Sequence, residues 1–270
     1  MLEKIVSLKN LLWAVLVLIC LLAVVVGLIY CAVNPYPGER EMPVVQLGES
    51  TPKTERANRS SGSNSAAASG ELTVLSKTKD QGAEYISSLT FLADHKNAAV
   101  VSYGADSSKV WLGEDGLIRV NALNDLSIRF PGDGSVVSAG NAAMISKPAV
   151  LVILIGTDGL ESVDQASFTD GYKNLIQSIL SQSPETKIIC GSLSSVTIGY
   201  SGEINAAMVA EANEWVKTVC TDLPVWYADT AATVCKDGVL LDEYAASDGI
   251  SLNGAGVSAV FEYLRTHALT

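Results

Sequence analysis

Three short segments hold the residues best able to do chemistry. Asp94 and His95 follow an apolar run at 89–93, Gly156, Thr157, Asp158 and Gly159 follow another at 150–155, and Asp248 stands three positions before Ser251. A hydroxyl, an imidazole and a carboxylate in one cleft can serve as nucleophile, base and orienting group when nucleophile and base lie about 2.6–3.2 Å apart. The chain has two histidines. His267 falls in the last turn of a C-terminal helical pattern, where a solvated or dipole-bound imidazole is the ordinary reading, so His95 is the histidine such a site would use. Acyl transfer also needs donors aimed at the developing oxyanion. An ionised Asp158 accepts hydrogen bonds and repels an anion. Asp94, Asp158, Asp248 and His95 could form an oxygen-rich cation site, but their spacing is no metal motif and short Asp turns commonly accept from backbone N–H groups. No metal and no cofactor is expected.

The elements that position these residues alternate between two periods. The run 150–155 (VLVILI) and the run 89–93 read as buried parallel strands, with shorter ones at 187–190 and 225–227. Between them, Tyr172, Leu175, Ile176, Ile179 and Leu180 make one apolar helical stripe, and Ile204, Met208, Val209, Ala212, Trp215, Val216 and Val219 make another. A last helix runs through Val257, Val260, Phe261, Leu264 and Ala268, with Asn253 as its N-cap. This order predicts an α/β doubly wound domain whose ligands sit at the carboxyl ends of the strands, where the three segments fall.

The N-terminal quarter reads differently. Residues 11–33 contain no charged side chain, and at about 1.5 Å per residue they span a hydrocarbon core of roughly 30 Å. Lys4 and Lys9 precede this run while Glu39, Arg40 and Glu41 follow it, which predicts a signal anchor with a short cytoplasmic N-terminus, 1–10, and everything beyond residue 33 outside the cell membrane. Residues 34–70, rich in Ser, Ala, Gly and Asn towards their end, read as a flexible extracytoplasmic linker. The folded unit is then 71–270. It carries 12 basic and 24 acidic side chains, a balance that excludes nucleic acid as a partner because phosphate contacts need a basic face.

The element order and the three blocks resemble the SGNH/GDSL hydrolase family over residues 84–270, as a membrane-anchored bacterial type. In that family the first strand ends in Gly-Asp-Ser, a later one in Gly-x-Asn-Asp, and the last loop reads Asp-x-x-His. The resemblance implies a three-layer, flavodoxin-like α/β fold with a parallel sheet, here preceded by one transmembrane helix. It also implies a history of ester or acetyl-ester hydrolysis on envelope carbohydrates or lipids. By position, the family's nucleophilic Ser falls on His95, its catalytic His on Ser251 and its oxyanion-donating Asn on Asp158 of the Gly156–Asp158 block, while Asp248 keeps the family residue. The Gly of the family's second block has three candidates, Gly104, Gly113 and Gly116. The expected function is therefore a membrane-anchored, catalytically degenerate SGNH-like protein that binds an envelope glycan, an acyl ester or a partner in the old cleft. The alternative is an esterase or O-deacetylase with an altered triad.

Cysteine adds one expectation. Cys20 and Cys31 lie in the apolar run, and Cys190, Cys220 and Cys235 in the domain. Cys190 ends a buried strand and reads as a small core residue, which leaves Cys220 and Cys235 as the pair to bridge in an oxidising exterior.

Overall fold

The computed structural model describes residue 67 and residues 69–269. The expected N-terminus at 1–10, the membrane span at 11–33 and nearly all of the linker at 34–70 lie outside the described residues. Among the described residues, no helix is long and apolar enough to cross a membrane.

The chain runs β1 (Thr73–Val74), α1 (Gly82–Ser88), β2 (Thr90–Ala93), β3 (Val110–Gly113), β4 (Ser127–Arg129), β5 (Val136–Ser138), α2 (Ala139–Ser146), β6 (Val150–Leu154), α3 (Gln165–Gln182), β7 (Lys187–Gly191), α4 (Ala206–Asp222) and β8 (Trp226–Ala228). A small hairpin, β9 (Cys235–Lys236) with β10 (Val239–Leu240), and α5 (Gly254–Thr266) complete it. Eight strands form one sheet in the order β1-β8-β7-β6-β2-β3-β4-β5. Pairing is parallel from β1 through β3. The edge departs from the expected all-parallel sheet, since β4 is antiparallel to both β3 and β5. The connection from β4 to β5 spans 130–135 with no helix in it, and a parallel return needs a crossover of a dozen or more residues.

The buried strands read as unbroken apolar runs because both faces of the sheet are covered. Leu92, Leu151, Ile153, Ile188, Cys190 and Tyr227 point into one core, which α2, α3 and α4 close. Phe91, Ala93, Val152, Leu154, Ile189, Trp226 and Ala228, at the intervening positions, point into the other, closed by α1 and α5. Neighbouring strand residues alternate between two layers of helix, the period-two rule of a pleated sheet. The helices begin where the sequence supplies a cap: Asp164 accepts from Ser167 N at 2.8 Å, Asn205 from Met208 N at 3.1 Å and Asn253 from Gly256 N at 3.0 Å. Each such cap contributes about 1 kcal/mol.

The structure does not bring the expected cysteine pair together. Cys190, Cys220 and Cys235 are all free thiols. Cys220 is buried in the core with Cys190, while Cys235 packs against the core on the opposite face of the sheet and takes a hydrogen bond from Ser195 N at 3.4 Å. Cys220 and Cys235 thus lie in different layers of the domain.

Candidate functional site

The loops after β2 and β6 are joined by one carboxylate. Asp94, fully buried, follows β2 directly and caps the 3-10 helix His95–Tyr103. Its Oδ1 accepts from Asn97 N at 3.2 Å and Asn97 Nδ2 at 2.8 Å, and its Oδ2 accepts from Gly156 N at 3.1 Å, Thr157 N at 3.2 Å and Thr157 Oγ1 at 2.8 Å. Asn97 Nδ2 reaches on to Leu154 O at 3.1 Å, tying the knot to β6 itself. Burial, and then the charge of Asp158, push the Asp94 carboxyl above its ordinary range despite these donors. Gly156 has φ 147°, and a Cβ there would strike the Leu193 side chain at 2.6 Å. Glycine is required at that turn for both reasons.

Asp158, 9% exposed, sits at the mouth of this knot. Its Oδ2 accepts from two backbone donors, His95 N at 3.2 Å and Ile118 N at 3.2 Å. Two N–H groups aimed at one point form an anion-binding pair of the kind that stabilises a developing oxyanion. Here the protein's own carboxylate fills the position.

The second donor is not one of the three glycines. Gly104 and Gly116 take positive φ, 124° and 84°, at turns. Gly113 is small because the backbone of Leu117 passes against it, and a Cβ would overlap Leu117 O. That close passage carries the chain back to present Ile118 N–H. A backbone donor leaves no mark in side-chain identity, so only the tight Gly113–Gly116 turn hinted at it.

The closing loop forms a second, more open cluster. Asp248 Oδ1 accepts from Ile250 N at 3.1 Å and Ser251 N at 2.9 Å, and Oδ2 accepts from Ser251 Oγ at 2.6 Å. Burial raises this carboxyl, but the Ser251 hydroxyl and backbone, the Ile250 N–H and the nearby charge of Lys96 outweigh it and hold the group below its ordinary value. Asp248 and Ser251 thus come together as the sequence spacing suggests. The hydroxyl donates to Asp248, and no hydrogen bond joins it to His95, whose exposed side chain has no hydrogen-bond partner among the described residues. Beside Asp248 a cleft of about 550 Å³ opens, lined by Thr197, Tyr200, Asp242, Ser247, Asp248 and Gly249 among others. Among the described residues, no group of three metal-ligating side chains occurs.

A mostly parallel sheet with helices on both faces and these loops at its carboxyl edge is a doubly wound α/β domain. The chain belongs to the GDSL-like lipase/acylhydrolase family, whose model matches residues 92–259. Solved structures of similar fold include a family two carbohydrate esterase from Clostridium thermocellum in complex with cellohexaose, 17% identical, covering 66% of this chain and 62% of that one with a TM-score of 0.42. A GDSL-like lipase from Bacteroides thetaiotaomicron is 13% identical, covering 64% and 83% with a TM-score of 0.44. A carbohydrate esterase family 3 protein from Talaromyces cellulolyticus is 13% identical, covering 65% and 91% with a TM-score of 0.42. No curated protein matches the chain.

Proposed function

We propose that this GDSL-type domain binds an envelope glycan or acyl ester outside the cell membrane, tethered through residues 11–33 with the N-terminus inside, and does not hydrolyse what it binds. One observation carries the reading: Asp158 Oδ2 already occupies the His95 and Ile118 N–H pair, at 3.2 Å from each. A substrate oxyanion would have to displace that carboxylate and then face its charge. Loss of even one oxyanion donor lowers turnover by about 10²–10³-fold, and an anion in its place adds repulsion. The remaining parts agree, since the Ser251 hydroxyl donates to Asp248 and makes no hydrogen bond with His95. The cleft beside Asp248 is of ligand size, and its Asp242 and Asp248 carboxylates with Tyr200 suit a neutral, hydroxyl-bearing ligand better than an anionic one.

The test is turnover of p-nitrophenyl acetate and acetylated oligosaccharides by the full-length chain. Wild type, and each of His95→Ser, Asp158→Asn and Ser251→His alone, should stay at the rate of buffer, because losses within one catalytic unit do not add. The triple change should yield trace turnover if Asp248 orients the new imidazole. Wild-type turnover abolished by Ser251→Ala or His95→Ala would establish an altered-triad esterase instead.

A further inference from the structure

The cleft beside Asp248 has a neighbour. A second groove, of about 300 Å³, is lined by Ile198, Lys236, Val239, Leu240, Leu241 and Asp242 among others. Asp242 lines both, and its carboxylate has no hydrogen-bond or ion-pair partner among the described residues. Thr197 and Gly199 line the first groove and Ile198 the second, so the two flank one turn. Tyr200 N closes that turn by donating to Thr197 O at 3.2 Å. It is fastened on both sides, since Thr197 N donates to Gly249 O of the closing loop at 2.9 Å and Leu240 N of β10 donates to Val196 O at 3.1 Å. At its tip Ile198 is 91% exposed, whereas the next large apolar side chain among the described residues, Ile145, reaches 54%. Such turns favour Gly, Pro, Asn, Asp or Ser, each for a conformational reason. A β-branched apolar side chain held out here serves neither the turn nor the core.

The two grooves differ in chemistry. The larger presents the hydroxyls of Thr197, Ser201 and Ser247, the carboxylates of Asp242 and Asp248, and no Lys, Arg or His. Tyr200 adds a half-buried ring beside them. Two glycines make room for that ring: a Cβ on Gly202 would overlap its hydroxyl, and one on Gly249 would stand 3.5 Å from Tyr200 Cβ. Acceptors next to an aromatic face match the donating hydroxyl rim and the C–H face of a sugar ring. The smaller groove is mainly aliphatic, which suits the C–H faces of further rings. An anionic chain would meet two carboxylates in the first groove, and an amine-bearing one would meet Lys236 in the second.

We infer that the ligand is an uncharged oligosaccharide laid across both grooves, one sugar against Tyr200, hydroxyls donated to Asp242 at the junction, and the next sugars packed over Ile198. This rests on the glycan reading above and narrows it, because a single sugar or a small acyl ester would occupy the larger groove alone.

The full-length chain in lipid nanodiscs is titrated with neutral oligosaccharides of one to six sugars, and with glucuronate-bearing and glucosamine-bearing chains of the same lengths. Neutral chains should bind best, and affinity should rise about tenfold at the length that carries the chain past Ile198. Ile198→Ser should cancel that rise, so that long chains bind as short ones do; its exposure means the variant folds. Asp242→Ala should weaken short and long chains alike. A single sugar bound as tightly as six, an Ile198→Ser chain that keeps the rise, a preference for charged chains, or no neutral sugar bound at any length would overturn the inference. Acetylated chains cleaved by the wild type while the length dependence persists would overturn only the non-catalytic reading.

Discussion

Asp94 and Asp248 close two loops at the same edge of the sheet, and each gathers donors from the residues that follow it. Yet their carboxyls move in opposite directions, Asp94 above its ordinary value and Asp248 below. Asp94 has the larger set of partners, five donors against three. The number of hydrogen bonds does not set the direction. Asp94 is wholly buried and has Asp158 as a neighbouring charge, whereas Asp248 is exposed and has Lys96 near it. Desolvation outweighs five donors in the first case and loses to three in the second. The buried aspartate joins two strands, and the exposed one holds a hydroxyl at the rim of a cleft.

The sharpest way to break that contrast is Asp94→Asn. An amide cannot accept at both ends, so at least two buried donors lose their partner, at a cost of about 3 kcal/mol. In a domain of this size that lowers the melting temperature on the order of 10 °C. The pH dependence has a definite sign. Asp94 titrates above its unfolded value of 3.8, so its ionisation opposes folding: its contribution is greatest below that value and declines as pH rises to the raised folded one. The gap between wild type and Asp94→Asn should be widest in acid and narrow through that window, as followed by urea unfolding from pH 3.5 upward. A variant as stable as wild type would mean the knot holds nothing together.

Ser251→Ala should act on the other carboxylate and less strongly. Removing the 2.6 Å hydroxyl donor should let the Asp248 carboxyl rise towards its ordinary value, with a stability loss below about 1 kcal/mol because the site is exposed. Asp248 stabilises the fold above its unfolded value and ceases to as pH falls through its lowered folded one. The acid limb should therefore begin at higher pH in the variant, which carbon-detected NMR titration of the Asp248 carboxyl would follow directly. Lys96→Met should have the smallest effect, a slight rise of the same carboxyl and a stability change within about 0.5 kcal/mol. If the lysine change moves Asp248 further than the serine change does, charge rather than hydrogen bonding governs the loop.

Much of the architecture was legible because burial on both faces leaves unbroken apolar strands. VLVILI predicted β6 to within a residue, and the stripes through Tyr172 and Val209 predicted α3 and α4. The strands β4 and β5, three residues each, are too short to show a period. At the site, Asp94 and Asp158 were readable as loop residues after strands and Asp248 as a loop residue before the last helix. The donor at Ile118 was not, since any residue has an N–H and only the folded turn aims it. Cysteine shows the same limit: Cys190 was readable as a core residue because it stands two positions from Ile188 on the same face of β7, but a strand's alternation does not say which helix will cover that face.

The knot at Asp94 also constrains how the sheet can be assembled. Its carboxylate binds backbone and side-chain donors 62 and 63 residues away in the sequence, and they align only when Ala93 stands opposite Leu154. Sliding β2 by one residue along β6 would exchange the two core faces of β2. It would also leave an anion in a dry interior with its donors displaced, a penalty of several kcal/mol that apolar repacking does not relieve. Packing opposes the same slip, because Phe91 and Ala93, both fully buried, differ widely in volume and would trade places with neighbours of the wrong size. The buried carboxyl, unfavourable in itself, adds a polar penalty to that mismatch, so alignment of these two strands is specified twice over.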